Sequence, residues 1–300
     1  MEKNAFNLNL LTVWVITYNQ ERFISQCLDS ILMQETNFPF QIVIGEDYST
    51  DNTRRICENY ANNYSNITLL PLEKNLGLVK NWERTLNACQ GKYVAMCEGD
   101  DFWIDCKKLQ KQFDFLEANP DFFISFHKVE FNFEDDVFHD DLFKHLEERE
   151  FLAYEIYDKW TVLTSSVVYR NFPEKIHFPK HIYFTDIYFT LYLLEKGRAY
   201  CQGFVGVTYR RHGESLSLNF PISRIKKLFY QYKYMCRRFP QFKEISKRNM
   251  NDWLEGLIYA PYFKGIWKFR FYKMYFEPRL FFTGFFTTTL TSYIFKRNRN

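Results

Sequence analysis

The stretch "YVAMCEGDDFWID" (Tyr93–Asp105) decides how this 300-residue chain is read. Its first five positions are apolar without alternation, the pattern of a strand buried on both faces. The run then breaks into Glu98, Asp100 and Asp101 around Gly99, with Phe102 and Trp103 directly behind. Three carboxylates crowded at one strand end repel each other and lose solvation. A solvated turn that caps the next helix would account for a single acid of this kind. Three of them beside a glycine point to a bound cation. Hard divalent ions take carboxylate oxygens, and Mg²⁺ binds through one or two of these plus substrate phosphates. The stretch therefore predicts a place where a metal holds a diphosphate.

On the amino-terminal side, strand and helix patterns alternate. "LTVWVIT" (Leu11–Thr17) reads as a first buried strand, and "NQERFISQCLDSILMQ" as a helix with Phe23, Cys27 and Ile31 on one face beside Leu28 and Leu32. "FQIVIGED" is a second strand, followed by a helix through "TDNTRRICENYANNY" that Ser49, Thr50 or Asp51 can cap. "NITLLPL", "LVKNWERTLNACQ" and "KYVAMCE" continue as strand, helix and strand. This alternation predicts an α/β fold, a mostly parallel sheet with right-handed crossovers and flanking helices. Ligands of such sheets bind beyond the carboxyl ends of the strands. Thr17, Asn19, Glu46, Asp47 and the acids of 98–101 would all lie on that edge.

Beyond the amphipathic segment "CKKLQKQFDFLEANP" the pattern loosens. "FFISFHKVEF" and "WTVLTSSVVYR" read as strands, with a strongly acidic surface stretch from Glu130 to Glu150 between them. "DIYFTLYLLEKG" reads as a helix closing at Gly197, and "AYCQGFVGVTYRRH" as extended chain. From about Pro221 the composition turns aromatic and basic and the alternation ends, which predicts a catalytic domain over 1–220 and a helical extension over 221–300.

Composition narrows the class. A hydrophobic share of 46% and a charged share of 25% describe a globular chain, and a net charge of +3 gives no argument for nucleic acid. Aromatics reach 20%, more than one core requires, which suggests an aromatic-lined cleft or an interfacial surface. Seven scattered cysteines with no C-x-x-C pair argue against a disulfide framework or zinc site and best fit the reduced thiols of a cytoplasmic protein. The opening runs straight into a strand, so no signal peptide is expected. No segment reaches the roughly 18 uninterrupted apolar residues that span a bilayer.

Taken together, "VWVITYNQERFISQCLDSILMQ", "IVIGEDYSTDNT", "NLGLVKNWERTLNACQGKYVAMCEGDDFW" and "KLQKQFDFLE" resemble the family 2 glycosyltransferases of the GT-A fold. The likeness is nearest to bacterial enzymes that build capsule, lipopolysaccharide and other cell-surface glycans. It is dense over about Leu10–Phe126 and thinner to about Ser217. It implies inverting transfer from a nucleotide-diphosphate sugar, usually a UDP-sugar, to a glycan or lipid-linked acceptor, with Mg²⁺ or Mn²⁺ as cofactor. By motif, Thr17 and Asn19 would line the nucleotide pocket beside Glu46, with Asp47 at the uracil or its ribose. Glu98, Asp100 and Asp101 would stand at the acid-any-acid metal signature, with Glu46 and Glu98 replacing aspartates common in the family. Asp186, before a helix that ends in "KG", would be the catalytic base. Arg210, Arg211 and His212 match a segment whose Arg or His reaches the diphosphate or its metal.

Two rivals follow from the same residues. A sugar-phosphate nucleotidyltransferase would need a glycine-rich basic loop after the first strand, where this chain has "TYNQERF". A catalytically silent carbohydrate-binding or scaffold protein would bind donor without turnover. The tail from Lys264 mixes basic and aromatic residues, which suits either the inner face of an anionic membrane or packing against the domain or a second copy.

Overall fold

The computed structural model describes residues 10–133, 142–212 and 222–259. Part of the acidic stretch and the tail from Lys264 lie outside these residues. In chain order the elements are β1 (Leu11–Thr17), α1 (Ile24–Leu32), β2 (Phe40–Glu46), α2 (Thr53–Asn63), β3 (Ile67–Leu69), α3 (Leu78–Ala88) and β4 (Tyr93–Glu98). There follow β5 (Phe102–Trp103), α4 (Lys108–Ala118), β6 (Phe122–Phe133), β7 (Arg149–Phe151), α5 (Ala153–Lys159), β8 (Val168–Arg170), α6 (Thr185–Leu194), β9 (Arg198–Arg211), α7 (Ile222–Arg238) and α8 (Lys243–Tyr259).

Among the described residues the strands form one mixed sheet in the order β3-β2-β1-β4-β8-β6-β9-β5, with β7 paired to β9. β1 lies parallel between β2 and β4, which is why its whole length is buried and mostly apolar. Its odd positions Leu11, Val13 and Val15 join a core with Ile24, Cys27, Leu28 and Ile31 of α1. Trp14 faces the other side and meets Trp82 of α3 edge-on at 4.5 Å. Trp82 in turn contacts Phe178 and Phe189, so α3 and α6 share the second face. The period-2 pattern thus puts helices on both sides of the sheet.

"WTVLTSSVVYR" is extended only at Val168–Arg170. Thr164–Ser166 instead form a 3₁₀ turn, because their backbone serves other elements: Trp103 Nε1 donates to the Ser165 carbonyl and Gln112 Nε2 to the Ser166 carbonyl. The chain divides into two compact units at Ser246/Lys247. Helix α7, on the far side of the boundary expected at 220/221, lies in the first unit. The second unit is described only in the rest of α8.

Candidate functional site

The parallel strands end at one edge, and the loops that leave β1 and β2 are sewn together there. Asn19 Oδ1 accepts the Thr50 N–H at 2.8 Å, and Ser49 Oγ accepts the Asn19 N–H at 2.9 Å. Ser49 is thus spent on this link, and it is Asp51 Oδ1 that accepts the Thr53 N–H at the start of α2. Two residues here take the left-handed backbone, Asn19 at φ 52° and Tyr48 at φ 60°. Asparagine tolerates that region, whereas a bulky residue held there is an outlier. Thr17 is buried and donates its hydroxyl to Gln20 at 2.7 Å.

Glu46 and Asp47 do different jobs. Glu46 is fully buried; one oxygen accepts the Ser49 N–H at 2.6 Å and the other the Arg54 guanidinium at 3.1 Å. It braces the turn from within. Asp47 accepts the N–H groups of Leu76 and Gly77 at 2.8 and 2.9 Å, pinning the loop before α3. Burial pushes its carboxyl up, opposed by those two bonds and by the nearby Arg84 charge. Gly77 sits at φ +81°, where a side chain would strain the backbone.

The acids after β4 owe their setting to Gly99 and to β9. A Cβ on Gly99 would come within 2.8 Å of Thr17 Cβ and 2.9 Å of the Ile16 carbonyl, so only glycine lets β4 turn against β1. β5 then pairs antiparallel with β9, Phe102 opposite Thr208, which carries the preceding acids to the end of β9 more than 100 residues away. Asp100 Oδ2 lies 3.2 Å from His212 Nε2. The Arg210 guanidinium donates to the Asp100 carbonyl at 2.9 Å and to Gln26, with Phe102 and Phe23 beneath it at 4.5 and 5.0 Å. Arg210 and His212 are two apart along an extended chain and share a side. Arg211 points the other way, over Phe133.

Asp101 is 1% exposed and committed to the protein. Its oxygens accept the Ser165 hydroxyl at 2.5 Å and the Arg210 N–H at 3.1 Å. Ser165 Oγ also accepts the Glu98 N–H at 3.0 Å, so one hydroxyl ties both acids together. Burial and then the charges of Asp100, Asp101 and Asp186 hold the Glu98 carboxyl well above its usual range. Asp186, in the first turn of α6, is therefore within electrostatic reach of the cluster. Its own carboxyl is raised to about 6 by burial, against bonds from backbone N–H groups.

Of the sequence-predicted residues, Glu98, Asp100, Arg210 and His212 come together with Asp186 in electrostatic reach, and Thr17, Asn19 and Asp47 line the adjoining strand ends. Glu46 and Asp101 face inward, and Arg211 stands apart. Among the described residues no three His, Cys, Asp or Glu side chains form a ready-made cage for an ion. The Asp100–His212 pair does suit a divalent ion that takes its remaining ligands from a bound donor. Its imidazole nitrogen weighs against Mg²⁺, which prefers oxygen throughout.

Sequence reasoning passed over Ser165, Gln26 and the buried pair Lys108–Gln112. Lys108 Nζ donates to Gln112 at 2.8 Å and lies 4.2 Å from the Trp103 ring, and burial lowers it to about 7. It passed over Gln231 too. This α7 side chain accepts the N–H groups of Tyr183 and Phe184 at 2.7 and 2.8 Å and donates to the Phe184 carbonyl at 3.0 Å. It thereby holds the segment that presents Asp186. Only the small-residue run "TSS" hinted at any of these.

Known proteins bear on this arrangement. The profile of the family described as Glycosyl transferase family 2 matches residues 12–178. An uncharacterized protein of Mycobacterium tuberculosis is 34% identical over 208 residues, 69% of this chain and 60% of that protein. The chain thus spans about 60% of the length of that relative. The putative teichuronic acid biosynthesis glycosyltransferase TuaG of Bacillus subtilis is 34% identical over 107 residues, 36% of this chain and 42% of TuaG. Among solved structures, S. aureus TarS (residues 1–349) in complex with UDP-GlcNAc superposes with a TM-score of 0.58 at 23% identity, covering 75% of this chain and 66% of that one. The mannosyltransferase PcManGT of Pyrobaculum calidifontis, in complex with GDP-Man and Mn²⁺, gives 0.55 at 18% identity, covering 80% and 69%. At these identities the two structures share the fold, an α/β architecture of GT-A type.

Proposed function

The chain belongs to glycosyl transferase family 2, and from that premise we propose that it is a metal-dependent inverting transferase. It moves a sugar from a nucleotide-diphosphate donor, a UDP-sugar by the likeness of its motifs, to a hydroxyl of a cell-surface glycan or lipid-linked acceptor. The observation that carries this reading is the meeting of Asp100, His212 and Arg210 beyond β4, with Asp186 in reach of the same cluster. Support also comes from the nucleotide sugars and Mn²⁺ in the structural neighbours and from the cell-wall polymer in the name of TuaG.

In this reading Thr17, Asn19 and Asp47 receive the nucleotide at the strand ends. Asp101 is buried and Asp100 largely so, out of bulk water, which strengthens their interactions. Asp186, ionised above about pH 6, takes the proton of the acceptor hydroxyl as that oxygen attacks the anomeric carbon opposite the leaving diphosphate. Arg210, held over the rings of Phe102 and Phe23, adds positive charge beside the leaving group. A divalent ion held by Asp100 and His212 would neutralise the charge that builds on the departing nucleoside diphosphate.

A thermal-shift screen of nucleotide sugars with and without Mn²⁺ or Mg²⁺ tests this directly. A donor that stabilises the chain only with metal is the expected result. Stabilisation by donor without any turnover would instead favour a silent binding protein. Full activity of Asp100→Asn in excess chelator would reject the metal.

A further inference from the structure

A cavity of about 370 Å³ lies outside the acid cluster. One wall is the segment 76–80, which Asp47 pins through two backbone bonds. The facing wall is the segment 180–183, directly ahead of α6 and Asp186, and α7 closes the third side with Lys227 and Tyr230. Its walls therefore belong to the segment that Asp47 holds and to the segment that leads into Asp186. Gln231 makes the second wall rigid by holding Tyr183 and Phe184.

The lining is basic. Lys80, Lys180 and Lys227 are joined there by His181, and among the described residues no carboxylate lines the cavity. Among the described residues, the carboxylate paired with these lysines is that of Glu83, 3.1 Å from Lys80 Nζ. Glu83 is itself shared with the Phe178 N–H and His177. Like charges gathered around one concavity repel each other, and an anion placed among them removes that cost. Rings stand beside these groups: Lys227 Nζ lies 5.5 Å from the Tyr183 ring, and the His181 ring lies 5.8 Å from that of Tyr230. These faces leave flat apolar surface against which a sugar ring can pack.

Resting on the transferase reading above, we infer that this cavity is an acceptor subsite for an anionic group, a phosphate or carboxylate carried by the acceptor glycan. Its seat between the two walls would bring a neighbouring hydroxyl of that glycan before Asp186. The acceptor is then an acidic glycan, and the charge serves selection as well as affinity.

The test uses the full chain, the double variant Lys180→Gln/Lys227→Gln and the charge-keeping control Lys180→Arg/Lys227→Arg. Three probes are titrated calorimetrically at low and high salt: a glycerol-phosphate oligomer, an oligogalacturonate and a neutral malto-oligosaccharide. At least one anionic probe should bind, more weakly at high salt, and the neutral one should not. The Gln variant should lose at least tenfold in anion affinity and the Arg variant should recover it. The stronger anionic probe identifies phosphate or carboxylate as the source. Failure of both anionic probes, equal binding of the neutral one, or no effect of the Gln pair overturns the subsite. So does a parallel loss of donor-induced stabilisation, which would give these lysines to the donor. Absence of any donor-induced stabilisation in the unsubstituted chain strikes the transferase reading separately.

Discussion

Asp186 carries its proposed role and a cost to the fold in the same carboxyl. Burial raises it from an ordinary 3.8 to about 6, so between those values the folded chain holds a proton that the unfolded chain has lost. Stability from this group therefore falls as pH rises through that window and stays low above it. Asp186→Asn is expected to raise Tm at pH 8 and to match the unsubstituted chain near pH 4. The same variant should cut turnover about 10²–10⁴-fold with donor affinity kept, since an amide takes no proton. Turnover of the unsubstituted enzyme should fall as pH drops through about 6. An unaltered Tm at pH 8 together with retained turnover would remove Asp186 from the chemistry. Tyr48 offers a second case: its side chain is 49% exposed and packs little, yet its backbone is left-handed. Tyr48→Asn should gain about 1 kcal/mol from relief of that strain, read as a Tm higher by a few degrees. A lower Tm would mean that the ring packs more than its exposure suggests. At this scale the sequence told acids from context only in part. Asp100 and Asp101 are adjacent and look alike, and it takes Ser165, 64 residues on, to turn Asp101 inward.

At the scale of elements, the parallel half was legible because each strand between two others has to be mostly apolar, and β1, β2 and β4 are, with polar groups mainly at their ends. The mixed half was not. The acids meet Arg210 and His212 through the two-residue pairing of β5 with β9, too short to leave a periodic signal. Helix α7 was read as part of an extension, since its aromatic and basic residues break the alternation. Its Gln231 is 1% exposed and makes three bonds to the backbone at 183–184, so it acts on the site from a distance. Gln231→Leu keeps the volume but removes the Gln231 partner of two half-buried N–H groups and a carbonyl, at about 1 kcal/mol for each bond lost. The expected result is a Tm lower by several degrees and a fall in kcat, with donor-induced stabilisation retained. If kcat and donor stabilisation fall together, α7 supports the whole sheet edge and not the base alone. Gly99→Ala tests the other side of the cleft. Its Cβ would meet the Ile16 carbonyl, a backbone atom that cannot step aside, and loss of donor binding is expected even where the chain still folds.

For the whole molecule the charge is unevenly spread. From Lys264 onward eight basic residues stand against the single acid Glu277, a surplus of seven, so a total of +3 leaves −4 on the first 263 residues. Such asymmetry within one chain points to a partner for the basic end. Between those cations lie Trp267, Phe269, Phe271, Tyr272, Tyr275 and Phe276, side chains suited to the headgroup level of a bilayer. Among the described residues no helix is long and apolar enough to cross a membrane. A lipid-linked acceptor would reward an enzyme confined to the same surface. Each Lys or Arg near an anionic leaflet is worth about 1 kcal/mol, and the attraction decays within a Debye length of about 10 Å at 0.1 M salt. The full chain is thus expected to bind vesicles containing phosphatidylglycerol, to release them as salt rises, and to ignore pure phosphatidylcholine. Replacing Lys264, Lys268, Arg270 and Lys273 together by Gln should weaken that binding at least tenfold while leaving donor-induced stabilisation in place. Equal partitioning of the two proteins would discard the membrane. A Tm that drops in the quadruple variant, with vesicle binding unchanged, would show instead that these cations serve the fold or a second copy of the chain.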